Sequence, residues 1–167
     1  MKLSLFLQSA VLGAALKPTS DSGLSLIMKY EGFRPDFYLD QVGLRTIGYG
    51  HACHGDGTNC AKITAPLSKD AATSLLMNDL ASREQCVADS LQRDIDKNAN
   101  SALVSLAFNI GCEAYKASEV PDRINANDFS AAAKAMKSMA TVAGQVVPDL
   151  YERRAAEAAL LCSSNRC

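Results

Sequence analysis

The sequence predicts an α+β fold, mostly helical, with a small β-hairpin lobe at about residues 36–64, a larger helical lobe, and a cleft between them. Three observations carry this. From Leu67 onward, apolar residues recur at helical spacing behind polar caps. Residues 37–50, "FYLDQVGLRTIGYG", abandon that period for β-type residues with glycines at 43, 48 and 50. A helix reading "SDSGLSLIMKYEG" precedes this stretch and carries a carboxyl group, Glu31, at its end.

The elements follow in order. The opening "MKLSLFLQSAVLGAALKP" has Lys2, an apolar run from Leu3 to Leu16, and a small-x-small pattern at Gly13 and Ala15. It reads as a secretory signal peptide over residues 1–17, leaving 18–167 as a single domain. The first helix takes its cap from Ser20, Asp21 or Ser22 and ends at Gly32. Leu24, Ile27 and Met28 form its stripe, and Glu31 occupies the next position of that stripe, where desolvation would disfavour its charged form. Two short strands then pair about a turn near Gln41–Gly43, with Thr46 and Gly48 on one face and Arg45, Ile47 and Tyr49 on the other. Residues 50–64 are loop. Ser68 caps a long helix over 69–92 that turns Ala72, Leu75, Leu76 and Leu80 inward. Further helices cover 98–111, with Leu103, Leu106, Ala107 and Ile110 inward, and 125–140, with Phe129, Ala132, Ala133, Met136 and Met139 inward. Pro148 opens the last helix from a first-turn position.

Composition excludes several classes of protein. Hydrophobic content of 48% with 21% charged residues fits a soluble domain, and no apolar run is long enough to span a bilayer. The formal charge is −1; removing Lys2 and Lys17 with the leader leaves 15 basic residues against 18 acidic, or −3. With no basic patch, nucleic acid is not an expected partner. Six cysteines and no C-x-x-C motif favour disulfides in a secreted chain. The rival is a zinc site from His51, Cys53, His54 and Cys60, which lacks the second knuckle that structural zinc sites use. The pairing expected is Cys53–Cys60, Cys86–Cys112 and Cys162–Cys167, although spacing alone does not prove it.

Glu31, Asp40 and Thr46 form the constellation that carries chemistry. Glycoside hydrolysis needs one carboxylic acid to protonate the leaving oxygen and a second group to activate water or attack. Glu31 on an apolar stripe and Asp40 on an exposed hairpin would divide those roles. The Thr46 hydroxyl could hold a water.

The spacing Glu31-x8-Asp40-x5-Thr46, followed by "IGYGH" at 47–51, resembles the phage-type lysozymes of glycoside hydrolase family 24. "SALVSLAFNIGC" at 101–112 and "VPDLYERRAAEAAL" at 147–160 extend the resemblance over most of residues 23–161. The leader and extra cysteines look most like a secreted fungal branch. The resemblance implies a two-lobed lysozyme-like fold and hydrolysis of bacterial peptidoglycan at the β-1,4 bond between N-acetylmuramic acid and N-acetylglucosamine. It implies Glu31 as general acid, with Asp40 and Thr46 holding water for an inverting attack. Tyr49, Gly50, Phe108 and Asn109 would contact substrate, with simple core packing the other reading of Phe108 and Asn109, and His51 would close the small lobe. No cofactor or metal is implied, and nothing points beyond a secreted monomer without stable membrane association. Arg153 and Arg154 read either as cations near the acid or as a surface pair. Asp149 replaces the family's glycine, and the chain has no tryptophan, which leaves sugar contacts on the helical lobe open. The alternative is an inactive glycan-binding relative; a disulfide-rich interaction protein would leave the carboxylate pair unexplained.

Overall fold

The computed structural model describes residues 14–55 and 57–167. Most of the expected leader, residues 1–13, lies outside the described residues. Of residues 14–17, Ala14 N–H donates to the carbonyl of Leu91 at 3.1 Å, and Lys17 pairs with Asp94.

Helix α1 runs Asp21–Glu31; the Ser20 hydroxyl accepts from Gly23 N–H to start it, and Gly32 ends it. The chain then enters a three-stranded antiparallel sheet of β1 (Arg34–Leu39), β2 (Arg45–Gly48) and β3 (His51–Ala52). Tyr38 faces Thr46 and Leu39 faces Arg45, while the register shifts between Arg34 and Tyr38. Thr46, Ile47 and Gly48 of β2 are all buried, and α2 packs against this strand.

The helical lobe begins with α2, Lys69–Ser90, two residues shorter than expected and capped by Ser68. Helix α3, Lys97–Ile110, starts at an Asp96 cap and stops at Gly111. Every residue from Ala99 to Ala107 is buried, so α3 is an axial helix with no solvent face in that stretch. It packs against α1, α2, α4 and α7. Leu76, Leu80, Leu103, Leu106, Ile124, Met136 and Leu161 fill the core around it, and each fully buried aliphatic side chain contributes about 2 kcal/mol. The approach of α1 to α3 depends on Gly23, where a Cβ would meet the Ser101 Cβ at 2.4 Å.

Periodicity leaves residues 112–124 unassigned. The chain forms two short helices there, α4 (Cys112–Ala117) and α5 (Glu119–Asn125), the second capped by Ser118. Neither is long enough to display a stripe. Helix α6 is Phe129–Ser138 behind an Asp128 cap, and α7 is Pro148–Leu161 with Pro148 in its first turn. A small hairpin, β4 (Thr141–Val142) and β5 (Gln145–Val146), joins them and was not legible in the sequence.

The cysteines are bonded as Cys53–Cys60, Cys86–Cys112 and Cys162–Cys167. The first closes the loop after β3, the second ties α2 to the start of α4, and the third fastens the chain end after α7. Among the described residues no helix is long and apolar enough to cross a membrane.

Candidate active site

Two adjoining hollows of about 600 and 720 Å³ run between the lobes, each within the size range of ligand sites. Glu31, Gly50 and Asn109 line both. Arg34, Tyr38, Asp40, Val42 and Thr46 line one side; His51, His54, Asn59, Asp79, Arg83 and Phe108 line the other.

Glu31 is the last residue of α1, so the helix end delivers its carboxyl to the cleft. Its side chain is 21% exposed, and its Oε1 accepts from Arg153 Nη1 at 2.8 Å. The apolar setting expected from the stripe is therefore corrected. Ile27 one turn earlier is buried, but Glu31 itself is met by a guanidinium from α7. Gly50 lies on its other side, with φ at +89° and a notional Cβ 3.6 Å from Glu31 Oε2. A side chain at position 50 would be strained by that φ, although its Cβ would meet the oxygen only at ordinary contact distance.

Asp40 anchors the hairpin turn through one oxygen. Its Oδ1 accepts from Val42 N–H at 2.9 Å and Leu44 N–H at 2.8 Å. Among the described residues its Oδ2 makes no hydrogen bond, which leaves it available to a ligand or water. Thr46, only 2% exposed, donates its hydroxyl to the Leu44 carbonyl at 3.0 Å. With that proton committed, the hydroxyl is left as an acceptor. Tyr38, opposite Thr46, lies within electrostatic reach of both acids. Burial pushes its phenol up, Arg34 opposes the rise, and Asp40 and Glu31 add to it.

The remaining expected residues divide. Gly50, Phe108 and Asn109 line the cleft. Tyr49 is a correction: the residue is only 8% exposed, its ring packs against Phe33 with centroids 5.5 Å apart and planes tilted by 45°, and it lines neither hollow. The positive φ of Gly48 and Gly50 on either side turns the backbone here and sends that ring inward. His51 is held on both ring nitrogens, Nδ1 by the Asp79 carboxylate at 2.9 Å and Nε2 against Asn59 Nδ2 at 3.3 Å. It thus links β3 to α2 and to the disulfide-closed loop.

Arg153 and Arg154 do not form a surface pair. Both are buried, together with Glu157 and Ser105. Arg153 Nε donates to Glu157 Oε1 at 3.1 Å, Ser105 Oγ donates to the same oxygen at 2.7 Å, and Arg154 bridges Glu157 to Asn109 Oδ1. Sequence reasoning did not single out Glu157 or Asp79. The signal for Glu157 was present in its spacing, four residues after Arg153 and three after Arg154 on an alanine-rich face. Among the described residues no group of His, Cys, Asp and Glu is arranged to hold a metal ion.

Comparison with known proteins agrees with this arrangement. The phage lysozyme family model matches residues 28–157. The endolysin of Acyrthosiphon pisum secondary endosymbiont phage 1 is 35% identical over 149 residues, covering 87% of this chain and 98% of that protein. The endolysin of Salmonella phage P22 is 33% identical over 144 residues, covering 86% and 97%. Among solved structures, the muramidase domain of SpmX from Asticaccaulis excentricus superposes with a TM-score of 0.76 at 33% identity, covering 87% of this chain and 97% of that one. With a family match over most of its length and relatives of that identity aligned nearly end to end, this chain belongs to the phage lysozyme family.

Proposed function

We propose that the protein is a secreted muramidase that hydrolyses the β-1,4 bond between N-acetylmuramic acid and N-acetylglucosamine in bacterial peptidoglycan, with inversion. One observation carries the reading: Glu31, Asp40 and Thr46 open into one continuous cleft, and each has a single atom left for substrate or water. Relatives named endolysin and muramidase agree with it.

The division of labour follows from which atoms are already engaged. Glu31 Oε1 is held by Arg153, so Oε2, beside Gly50, is the oxygen that gives its proton to the leaving group. Asp40 Oδ1 is held by the turn, so Oδ2 faces the charge that builds on the sugar ring and takes the proton of the attacking water. Thr46 Oγ1 accepts a hydrogen bond from that water and turns an oxygen lone pair toward the anomeric carbon. A water held between two such groups attacks the face opposite the leaving group, which inverts the configuration. Three disulfides suit an oxidising compartment, consistent with secretion behind a leader at residues 1–17.

Glu31→Gln is nearly isosteric and cannot donate an acidic proton. Clearing of a cell-wall suspension should fall by about two to four orders of magnitude with the thermal midpoint nearly unchanged. Clearing at the wild-type rate removes Glu31 from the chemistry. NMR of freshly released product should find the α-anomer; a retained β-anomer recasts Asp40 as a nucleophile.

A further inference from the structure

We infer that Glu157 is a positioning residue for this reaction, aligning Glu31 through Arg153 and Asn109 through Arg154. The inference rests on the muramidase reading above. Glu157 is fully buried on α7 and cannot touch substrate. Its two oxygens are nevertheless the point from which two contacts fork toward the cleft. Oε1 takes Arg153 Nε at 3.1 Å, and Arg153 Nη1 continues to Glu31 Oε1 at 2.8 Å. Oε2 takes Arg154 Nη1, and Arg154 Nη2 continues to Asn109 Oδ1. Glu31 ends α1 and Asn109 lies near the end of α3, so one buried carboxylate on α7 sets the relative placement of two cleft residues from separate helices.

The chemistry of the guanidinium makes this a matter of direction as well as charge. The group is planar and rigid, so fixing one nitrogen fixes where the others point. Arg153 is pinned at Nε by Glu157 and at Nη2 by the Ser105 carbonyl at 3.4 Å, which leaves Nη1 one direction, toward Glu31. Ser105 Oγ also donates to Glu157 Oε1 at 2.7 Å, which holds the carboxylate against α3. A buried ion pair is a poor source of stability, since aliphatic residues of similar volume often do as well or better. What this cluster supplies and aliphatic residues would not is alignment of charged atoms at the cleft.

The test is steady-state kinetics on solubilised glycan strands, expressed per folded molecule after a thermal melt of each variant. Glu157→Met should lower kcat by about 10- to 100-fold and raise KM about 3- to 10-fold, because Arg153 and Arg154 both lose the oxygens that hold them. Arg154→Met should raise KM about 3- to 10-fold while largely retaining kcat, because Asn109 loses its tether and Glu157 still holds Arg153. If Glu157→Met alone fails to fold, the double variant Arg154→Met/Glu157→Met decides. It removes one charge of each sign, leaves the net charge of the cluster unchanged, and should lose kcat as Glu157→Met would. Wild-type kcat in a folded Glu157→Met or double variant overturns the inference, since a purely structural role moves only the melting midpoint. Unchanged KM in Arg154→Met overturns the Asn109 branch. A wild-type protein that releases no product from the strands overturns the muramidase reading itself, a separate outcome.

Discussion

Replacing Asp40 with Asn should abolish hydrolysis and leave the hairpin intact, whereas replacing it with Ala should damage both. The separation is possible because the residue uses its oxygens differently. Oδ1 accepts two backbone N–H groups, from Val42 at 2.9 Å and Leu44 at 2.8 Å, and an asparagine Oδ1 accepts the same pair. The turn also has its own backbone bonds, Asp40 N–H to the Leu44 carbonyl and Gly43 N–H to the Asp40 carbonyl, so it survives loss of the side chain in weakened form. Net hydrogen bonds at such a site are worth about 0.5–1.5 kcal/mol each. Because the two share one exposed oxygen, Asp40→Ala should cost about 1–2 kcal/mol, or roughly 2–8 °C in Tm for a domain of this size. Asp40→Asn should cost no more than about 0.5 kcal/mol. Activity should order differently, with both variants down by about two to four orders of magnitude, because neither can take a proton from water. Circular-dichroism melts and cell-wall clearing on the same preparations test both halves. An Asn variant that clears walls normally would reduce Asp40 to a turn residue. Equal melting of the Asn and Ala variants would show that the side chain does not hold the turn.

Gly23→Ala should lower stability by about 1–2 kcal/mol despite alanine's better helix propensity, because its Cβ would overlap Ser101 at 2.4 Å and push α1 from α3. A midpoint at or above wild type would mean the two helices separate freely. Removing Cys86–Cys112, which spans 26 residues, should cost about 3.5 kcal/mol in the chain-entropy model, against about 2 kcal/mol for Cys162–Cys167, which spans five. Denaturant midpoints of the paired Cys→Ser variants check the order, and the reverse order refutes it. Burial pushes the Tyr115 phenol from 10.0 to about 12, with a Ser90 hydrogen bond opposing. The folded chain therefore keeps a proton that the unfolded chain releases. This contribution is fully present below about pH 10 and declines through pH 12, by about 3 kcal/mol in all. Tyr115→Phe should flatten that alkaline slope in denaturant titrations, and an unchanged slope would refute the assignment.

The parts of this molecule legible in the sequence are those whose cause is local. Ser68, Gly32 and Gly111 mark helix ends within a few residues, since caps act on their own turn. The β1–β2 hairpin is visible because glycines and β-type residues interrupt the helical period over one continuous stretch. The short α4 and α5 escape notice because six or seven residues make no stripe, and Tyr49 is misplaced because its packing on Phe33 is a tertiary contact that no local pattern announces.

The difference in the setting of Glu31 has another origin, and it shows what a single-helix view omits. Taken within α1 alone, a carboxyl on an apolar stripe implies desolvation. Taken within α7 alone, Arg153, Arg154, Glu157, Ala158 and Leu161 form one buried face with two cations and one acid. The face on α7 holds one more cation than acid, and an unpaired polar or charged group is costly there. The stripe on α1 ends in a carboxyl group. Arg153 joins the two across 122 residues of sequence. A charged residue at a position that periodicity marks as buried is therefore best read as half of a pair. The sequence to search for its partner is every other helix that shows the opposite imbalance.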